Sequence, residues 1–345
     1  MNELIEKLEK ECRLSEDEFA RLIDGRNEAL AASLAEKAVK ARKAHYGNSV
    51  YVRGLIEFTN YCKNNCLYCG IRAGNKNAQR YRLTEEEILS CCEVGYNTGY
   101  RTFVLQGGED VHYTPARIEA LVGKIKEKYP DCALTLSVGE HPKDVYAAWR
   151  KAGADRYLLR HESADAEHYS LLHPAELTLE KRKGCLYDLK DLGYQVGCGF
   201  MVGSPRQTSA QIAKDLTFIR EFEPQMVGIG PFIPHKDTPF ANESAGTLEL
   251  TLYLLSIVRI MLPNVLLPAT TALGTIHETG RELGILAGAN VCMPNLSPED
   301  VRGKYMLYNN KLTSGAEAAE EFATLSRRME KIGYAVCVDR GDFKK

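Results

Sequence analysis

Three cysteines, Cys62, Cys66 and Cys69, fall within eight positions of the stretch NYCKNNCLYCG, residues 60–70. A thiolate is a soft metal ligand and a nucleophile, so this spacing points to metal or redox chemistry. A structural zinc takes four ligands, yet no histidine lies between His45 and His112. The nearest further thiols, Cys91 and Cys92, sit in TEEEILSCCEVGY, which reads as an amphipathic helix with small buried cysteines. A thioredoxin-like Cys-x-x-Cys pair leaves Cys62 without a task. An iron–sulfur cluster employs all three thiolates and, if it holds four irons, leaves one iron open to another ligand.

Positioning such a triad needs a scaffold, and the bulk numbers permit a large one. The chain has 345 residues, 44% hydrophobic and 26% charged, the composition of a globular protein with a sizeable core. A net charge of -2 argues against nucleic-acid binding through a general basic field. The charged N-terminal stretch lacks a signal-peptide core, and the apolar run YLLSIVRIMLPNVLLPATTALG is broken by Arg259, Pro263 and Asn264. No membrane span and a cytoplasmic location are therefore expected. In a reducing compartment the eleven cysteines read as thiols or metal ligands rather than disulfides.

Residues 1–48 read as a helical extension, with Ser15 and Glu18 in capping-box spacing. From residue 49 onward, short β-branched runs alternate with amphipathic stretches, the pattern of repeated β/α units. Eight candidate strands, VYVRGLIEF, RTFVLQ, CALTLSV, RYLLRH, YQVGCGFMV, QMVGIGPFI, VLLPATTA and NVCMP, predict an α/β fold with a TIM-type (β/α)8 barrel over 49–294, complete or nearly so. Residues 295–345 read as a C-terminal extension closing one end of the barrel. Chemistry in such barrels sits at the strand C-termini, here FTNYC, LQGGED, SVGEHP, RHESA, MVGSP, GPFIPH, ATTALG and MPNLSP.

The pattern Cys-x-x-x-Cys-x-x-Cys, with Tyr68 before the last cysteine, resembles the signature of radical S-adenosylmethionine (SAM) enzymes. The resemblance implies one 4Fe-4S cluster on Cys62, Cys66 and Cys69, whose open iron binds SAM for reductive cleavage to a 5′-deoxyadenosyl radical. Longer stretches, among them EFTNYCKNNCLYCGIRAGNKNAQRYRLT, AGADRYLLRHESA and PATTALGT, are similar to FeFe-hydrogenase maturases of the HydE type. That likeness implies action on a cysteine-bound Fe(CO)2(CN) precursor, beside HydG-type and HydF-type maturases, with a reductant such as ferredoxin or flavodoxin. Methylornithine synthases, radical SAM enzymes of amino-acid substrates, also look similar and remain the alternative.

By the same resemblance, Tyr68, Gln106, Gly107, Gly108, Glu162, Arg182 and Met226 match cofactor-contacting positions. Arg160, Thr135, Thr270, Thr271 and Tyr305 match the lining of the substrate cavity. The residue types suit these tasks. Backbone carbonyls at Gly107 and Gly108 can accept from an ammonium, a carboxylate can accept from ribose hydroxyls, and a guanidinium can grip a carboxylate in a fork. Plainer readings stand beside them: Arg182 as a solvated helix charge in LEKRKG, Met226 as core, and Arg156 with Arg160, expected on one side of a strand, as structural ion pairs. GCGFMVGSP departs from its relatives at Arg206 and Gln207, where many carry glycine and an acid. Only Cys337 follows Cys292, so no second cluster is expected and the other cysteines read as buried thiols. His161, His173 and Cys337 carry no assigned role.

Overall fold

Runs of a few β-branched residues are too short for stable helices, and the stretches between them begin with strong caps. The computed structural model describes residues 1–313 and 318–344; residues 314–317 and 345 of the expected C-terminal extension lie outside the described residues. Its strands are β1 (Ser49–Val52), β2 (Gly54–Thr59), β3 (Thr102–Gly107), β4 (Ala133–Ser137), β5 (Arg156–Leu158), β6 (Gln195–Cys198), β7 (Met201–Val202), β8 (Met226–Val227), β9 (Gly230–Pro231), β10 (Val291–Cys292) and β11 (Ala335–Cys337). The helices are α1 (Asn2–Glu11), α2 (Glu16–Asp24), α3 (Glu28–Tyr46), α4 (Glu85–Thr98), α5 (Pro115–Lys128), α6 (Lys143–Ala152), α7 (Ala166–Leu172), α8 (Leu179–Asp191), α9 (Ser209–Phe222), α10 (Leu248–Met261), α11 (Thr271–Ile276), α12 (Gly280–Leu286), α13 (Glu299–Arg302) and α14 (Ala318–Lys331). Reciprocal capping boxes start α2, α4 and α9 at Ser15, Thr84 and Thr208.

Six strands form one parallel sheet in the order β2-β3-β4-β5-β6-β8. The ring closes through slighter joins: Met226 bridges Leu266, Pro268 bridges Val291, and β10 pairs with β1, which runs on into β2 past Arg53. This is the α/β barrel of TIM type. The expected strand VLLPATTA is reduced to those two bridges, because Pro268 has no N–H to give to a ladder. YQVGCGFMV also breaks in two. Gly199 adopts φ 149°, and a Cβ there would lie 2.0 Å from the Gly228 carbonyl oxygen, so β7 and β9 peel away as a separate pair.

Helices α2 and α3 pack on α9 and α10, where the Tyr253 hydroxyl donates to Leu22 O at 2.9 Å. The C-terminal stretch reaches both ends of the barrel instead of closing one. Residues 304–311 lie over the strand C-termini, where Lys304 O accepts from Asn60 Nδ2 at 2.7 Å and Lys311 Nζ sits 2.6 Å from Glu57 Oε1. β11 then pairs in parallel with β1, and Arg340 O and Asp342 accept from Arg156 at the opposite end. Among the described residues no helix is long and apolar enough to cross a membrane.

Candidate functional site

Residues 58–84 contain Lys63, Arg72, Lys76, Arg80 and Arg82 and not one carboxylate, so their charges must find carbonyls or acids from elsewhere. Arg80 gathers the loop after β2: its guanidinium donates to Asn60 O, to Ile71 O at 2.8 Å, Arg72 O at 2.7 Å and Asn75 O at 3.2 Å. Arg82 grips Asp110 in a fork at 2.6 and 2.9 Å, and Thr59 Oγ1 donates to the same carboxylate at 2.7 Å. The loop is thereby fastened to the end of β3 by charge-assisted bonds.

Cys62, Cys66 and Cys69 ride on this loop as free, half-buried thiols. Two glycines let other chain segments close on them. A Cβ at Gly108 would fall 2.2 Å from Tyr61 O and 2.7 Å from Cys62 Cβ, and one at Gly70 would fall 2.1 Å from Met306 O. Burial pushes all three thiols up, Cys66 to about 12, so only bound metal would hold them as thiolates at neutral pH. Among the described residues no three His, Cys, Asp or Glu gather closely enough for a single ion. A tetrahedral zinc draws its thiolates within about 4 Å of one another, an arrangement this triad lacks. A four-iron cluster, with its thiolates on three different irons, suits the wider set.

Beside the thiols, the Tyr68 ring is packed against Leu172, Met201 and Phe232. His173 Nδ1 lies 2.9 Å from Tyr169 O, an acceptor only, so that nitrogen carries the proton and Nε2 accepts from the Tyr68 hydroxyl at 3.3 Å. Burial, with the nearby Arg182 charge, lowers the His173 pKa to about 4, which keeps the ring neutral. His173, which sequence left unassigned, orients Tyr68.

Past the end of β5, Arg160 clasps Glu162 side-on, Nε to Oε1 at 2.9 Å and Nη2 to Oε2 at 2.6 Å. Burial pushes the Glu162 carboxyl up, but the charge and hydrogen bonds of Arg160 outweigh it and hold the group below the ordinary carboxylate range. Arg182 is buried on α8, with Nε 2.5 Å from Glu140 Oε1 and Nη1 2.7 Å from Arg160 O; it is no solvated helix charge. Its positive charge also acts on Cys66, so Arg182 and Glu162 border the thiols. Gln106 Nε2 donates to the Tyr305 hydroxyl at 3.4 Å.

The expected substrate-cavity residues are gathered in part. The hydroxyls of Thr135 and Thr270 are buried with no hydrogen-bond partner among the described residues. Thr270 is the N-cap of α11 yet makes no side-chain cap bond, leaving its oxygen for something else. Such orphaned groups mark space for a polar ligand. Thr271 lines a cavity of about 240 Å³ with Glu57, Arg281, Asn295 and Lys311. Sequence reading passed over Glu57, although a lone acid in the apolar run GLIEFT needed a partner, and Lys311 with Asn295 supplies it.

Met226 and Arg156 take the partners that their plainer readings anticipated, core for the first and a structural ion pair for the second. Met226, expected beside the cofactor, opens β8 and packs with Tyr46, Tyr51, Leu266 and Val291, and its Sδ lies 2.9 Å from Arg53 Nη1. Arg53 is six residues before Thr59, so its backbone lies about 20 Å along the strand from the cysteine loop. Arg156 belongs to that distant end too, paired with Asp342 at 2.6 Å. The departures at Arg206 and Gln207 keep a backbone task. Arg206 adopts φ 60°, a conformation that favours glycine, and Gln207 bonds Gly203 N and Met201 O at 2.7 and 3.0 Å.

Residues 56–219 match the radical SAM superfamily. The [FeFe] hydrogenase maturase subunit HydE of Thermotoga maritima is 45% identical over 343 residues, 99% of this chain and 97% of that protein. The 3-methylornithine synthase of Methanosarcina acetivorans is 27% identical over 95% of this chain and 92% of that one. A crystal structure of methylornithine synthase (PylB) superposes with a TM-score of 0.86 at 27% identity, covering 97% of each chain.

Proposed function

The chain belongs to the radical SAM superfamily, close to the hydrogenase maturase HydE, and from that premise we propose that it acts in maturing FeFe-hydrogenase, on a cysteine-bound Fe(CO)2(CN) species. A 4Fe-4S cluster with SAM supplies one-electron cleavage of the sulfonium to a 5′-deoxyadenosyl radical. Cys62, Cys66 and Cys69 would hold that cluster. The carbonyls of Gly107 and Gly108 would accept from the methionine ammonium, Arg182 would face the methionine carboxylate, Glu162 would accept from the ribose, and Tyr68 would flank the cofactor beside Gln106. Arg160, Thr135, Thr270, Thr271 and Tyr305 would line the substrate cavity. There a guanidinium attracts an anion-bearing iron species or its cysteine carboxylate, and hydroxyls adapt to cyanide and carbonyl ligands. The buried wall around them excludes water from a reactive radical. HydG-type and HydF-type maturases would supply and receive the iron species, and a low-potential carrier such as ferredoxin or flavodoxin would supply the electron.

The single observation that carries the reading is 45% identity to HydE along almost the whole chain, with the polar, orphaned hydroxyls of Thr135 and Thr270 in support. The test is anaerobic reconstitution, reduction with SAM, and addition of the cysteine-bound iron precursor. Consumption of the precursor with formation of 5′-deoxyadenosine supports the reading. Cleavage of SAM that ignores the precursor but converts lysine to methylornithine would favour the second reading, which the PylB superposition keeps in play.

A further inference from the structure

Glu162 sits in a conformation its residue type disfavours, and while Arg160 grips its side chain, other groups hold its backbone. Its φ is 62°, in the left-handed region where a side chain crowds its own backbone. Such a residue persists only where its surroundings over-determine it. Two bonds tie the segment to the start of the next β unit: Glu162 N–H donates to Gly199 O at 3.0 Å, and His161 Nδ1 accepts from Gly199 N–H at 3.2 Å. On the other flank, Ala164 N–H donates to Asp215 Oδ1 at 2.5 Å. That same oxygen stands 3.3 Å from His161 Nε2, off the line of a full hydrogen bond. Because Nδ1 accepts, the proton of the neutral ring is on Nε2, toward the carboxylate.

Asp215, on α9, and His161 are both fully buried. A buried carboxylate is costly unless paired and bonded, so its presence here calls for a task. Asp215 touches both feet of an arch, residues 161 and 164, and the Glu162 side chain leaves from between them toward Arg160. Phe200 and Phe218 close on the imidazole ring, which prevents it from swinging away. Lys183 Nζ, 3.4 Å from Ala164 O, steadies the second foot.

We propose that His161 and Asp215 form a positioning pair for Glu162, clamping the arch that aims its carboxylate at the cofactor ribose without touching the cofactor. The inference rests on the reading of Glu162 as a cofactor contact. The variants are chosen to keep the backbone bonds: Asp215→Asn retains an acceptor for Ala164 N–H and loses the charge facing His161, while His161→Asn retains an acceptor near Nδ1 and loses Nε2. On reconstituted full-length protein, SAM affinity is read from the change it makes in the EPR signal of the reduced cluster, and KM and kcat from 5′-deoxyadenosine formation. Each variant is expected to bind SAM about 3–10-fold more weakly, with KM raised more than kcat is lowered. In a Glu162→Gln background the same changes should add almost nothing, since residues acting through one group are not additive. Binding within about twofold of the unaltered protein, or losses that add in full to that of Glu162→Gln, overturns the pair's role. Loss of iron uptake in both variants would show a role in folding and overturn it too. If Glu162→Gln alone leaves SAM binding unchanged, the reading of Glu162 falls, and the pair's role with it.

Discussion

Two arginines four residues apart on one strand and its extension do opposite work. Arg156, at the start of β5, is fully buried and satisfied: it donates to Thr102 Oγ1 at 3.2 Å, Arg340 O at 2.7 Å and Asp342 Oδ1 at 2.6 Å. Arg160, past the end of β5, bonds through its side chain to Glu162 alone among the described residues, and that side chain keeps some exposure. At the first end the chain itself satisfies Arg156, although Arg53 Nε and Nη2 near it are buried without a partner among the described residues; at the other, hydroxyls and a guanidinium beside the cavity are left with bonding capacity. Satisfied polar groups rigidify a scaffold, and unsatisfied ones await a ligand.

That contrast can be broken by experiment, most severely at the cysteines. Cys66→Ala should abolish cluster binding and SAM cleavage while the thermal midpoint of the metal-free protein stays within about 2 °C of the unaltered one; retained cleavage would remove the triad from the chemistry. Arg160→Lys keeps the charge and loses the fork, and should lower turnover of the iron precursor about 10–100-fold with little change in the melting midpoint. Arg156→Lys should do the reverse, leaving SAM cleavage nearly intact. If Arg156→Lys proves as damaging to turnover as Arg160→Lys, the division of labour between the two ends is wrong.

A smaller effect is expected at Asp342. Burial pushes its carboxyl up, but the hydrogen bond from Arg340 and the charge of Arg156 hold it below the ordinary range. A carboxyl depressed in the folded state contributes stability that is present above its unfolded pKa, about 3.9, and is lost as pH falls through and below that value. Asp342→Asn should therefore lower the melting midpoint by about 2–5 °C at pH 7, and the gap should narrow toward pH 3; a gap that does not change with pH would mean the ion pair is not its source. The smallest change is Arg206→Gly. Relief of the left-handed φ and the added freedom of the unfolded chain nearly cancel, giving within about 0.5 kcal/mol in denaturant unfolding.

How much of this was legible in the sequence follows the same division. The triad, the barrel class and the capped starts of α2, α4 and α9 depend on local spacing, and residue order alone displays them. Cys91 and Cys92 were legible as buried helical thiols for the same reason. Arg156 and Arg160 share a face by periodicity, but only the distant Asp342 separates their tasks, and nothing local announces that contact. Met226 misled similarly: a methionine on a barrel strand can face either end, and its neighbours Tyr46, Tyr51 and Arg53 come from the other side of the ring. A solvated-charge reading of Arg182 could stand beside the cofactor reading because its partner Glu140 is far off in the chain. The clearest missed signal was Glu57, one acid inside an apolar strand.

The pairing of β1 with β11 joins Ser49 to Ala335, nearly the length of the chain apart. Contacts of such separation form late, because loop-closure entropy precedes the reward. At a synthesis rate of about 5–20 residues per second, one edge of β1 waits roughly a quarter of a minute to a minute on the ribosome for its partner. Throughout that interval Val50 and Val52, wholly covered in the finished protein, lie on an open strand edge able to pair with another nascent chain. Yield of this protein in a host should accordingly depend on holdase capacity and growth temperature.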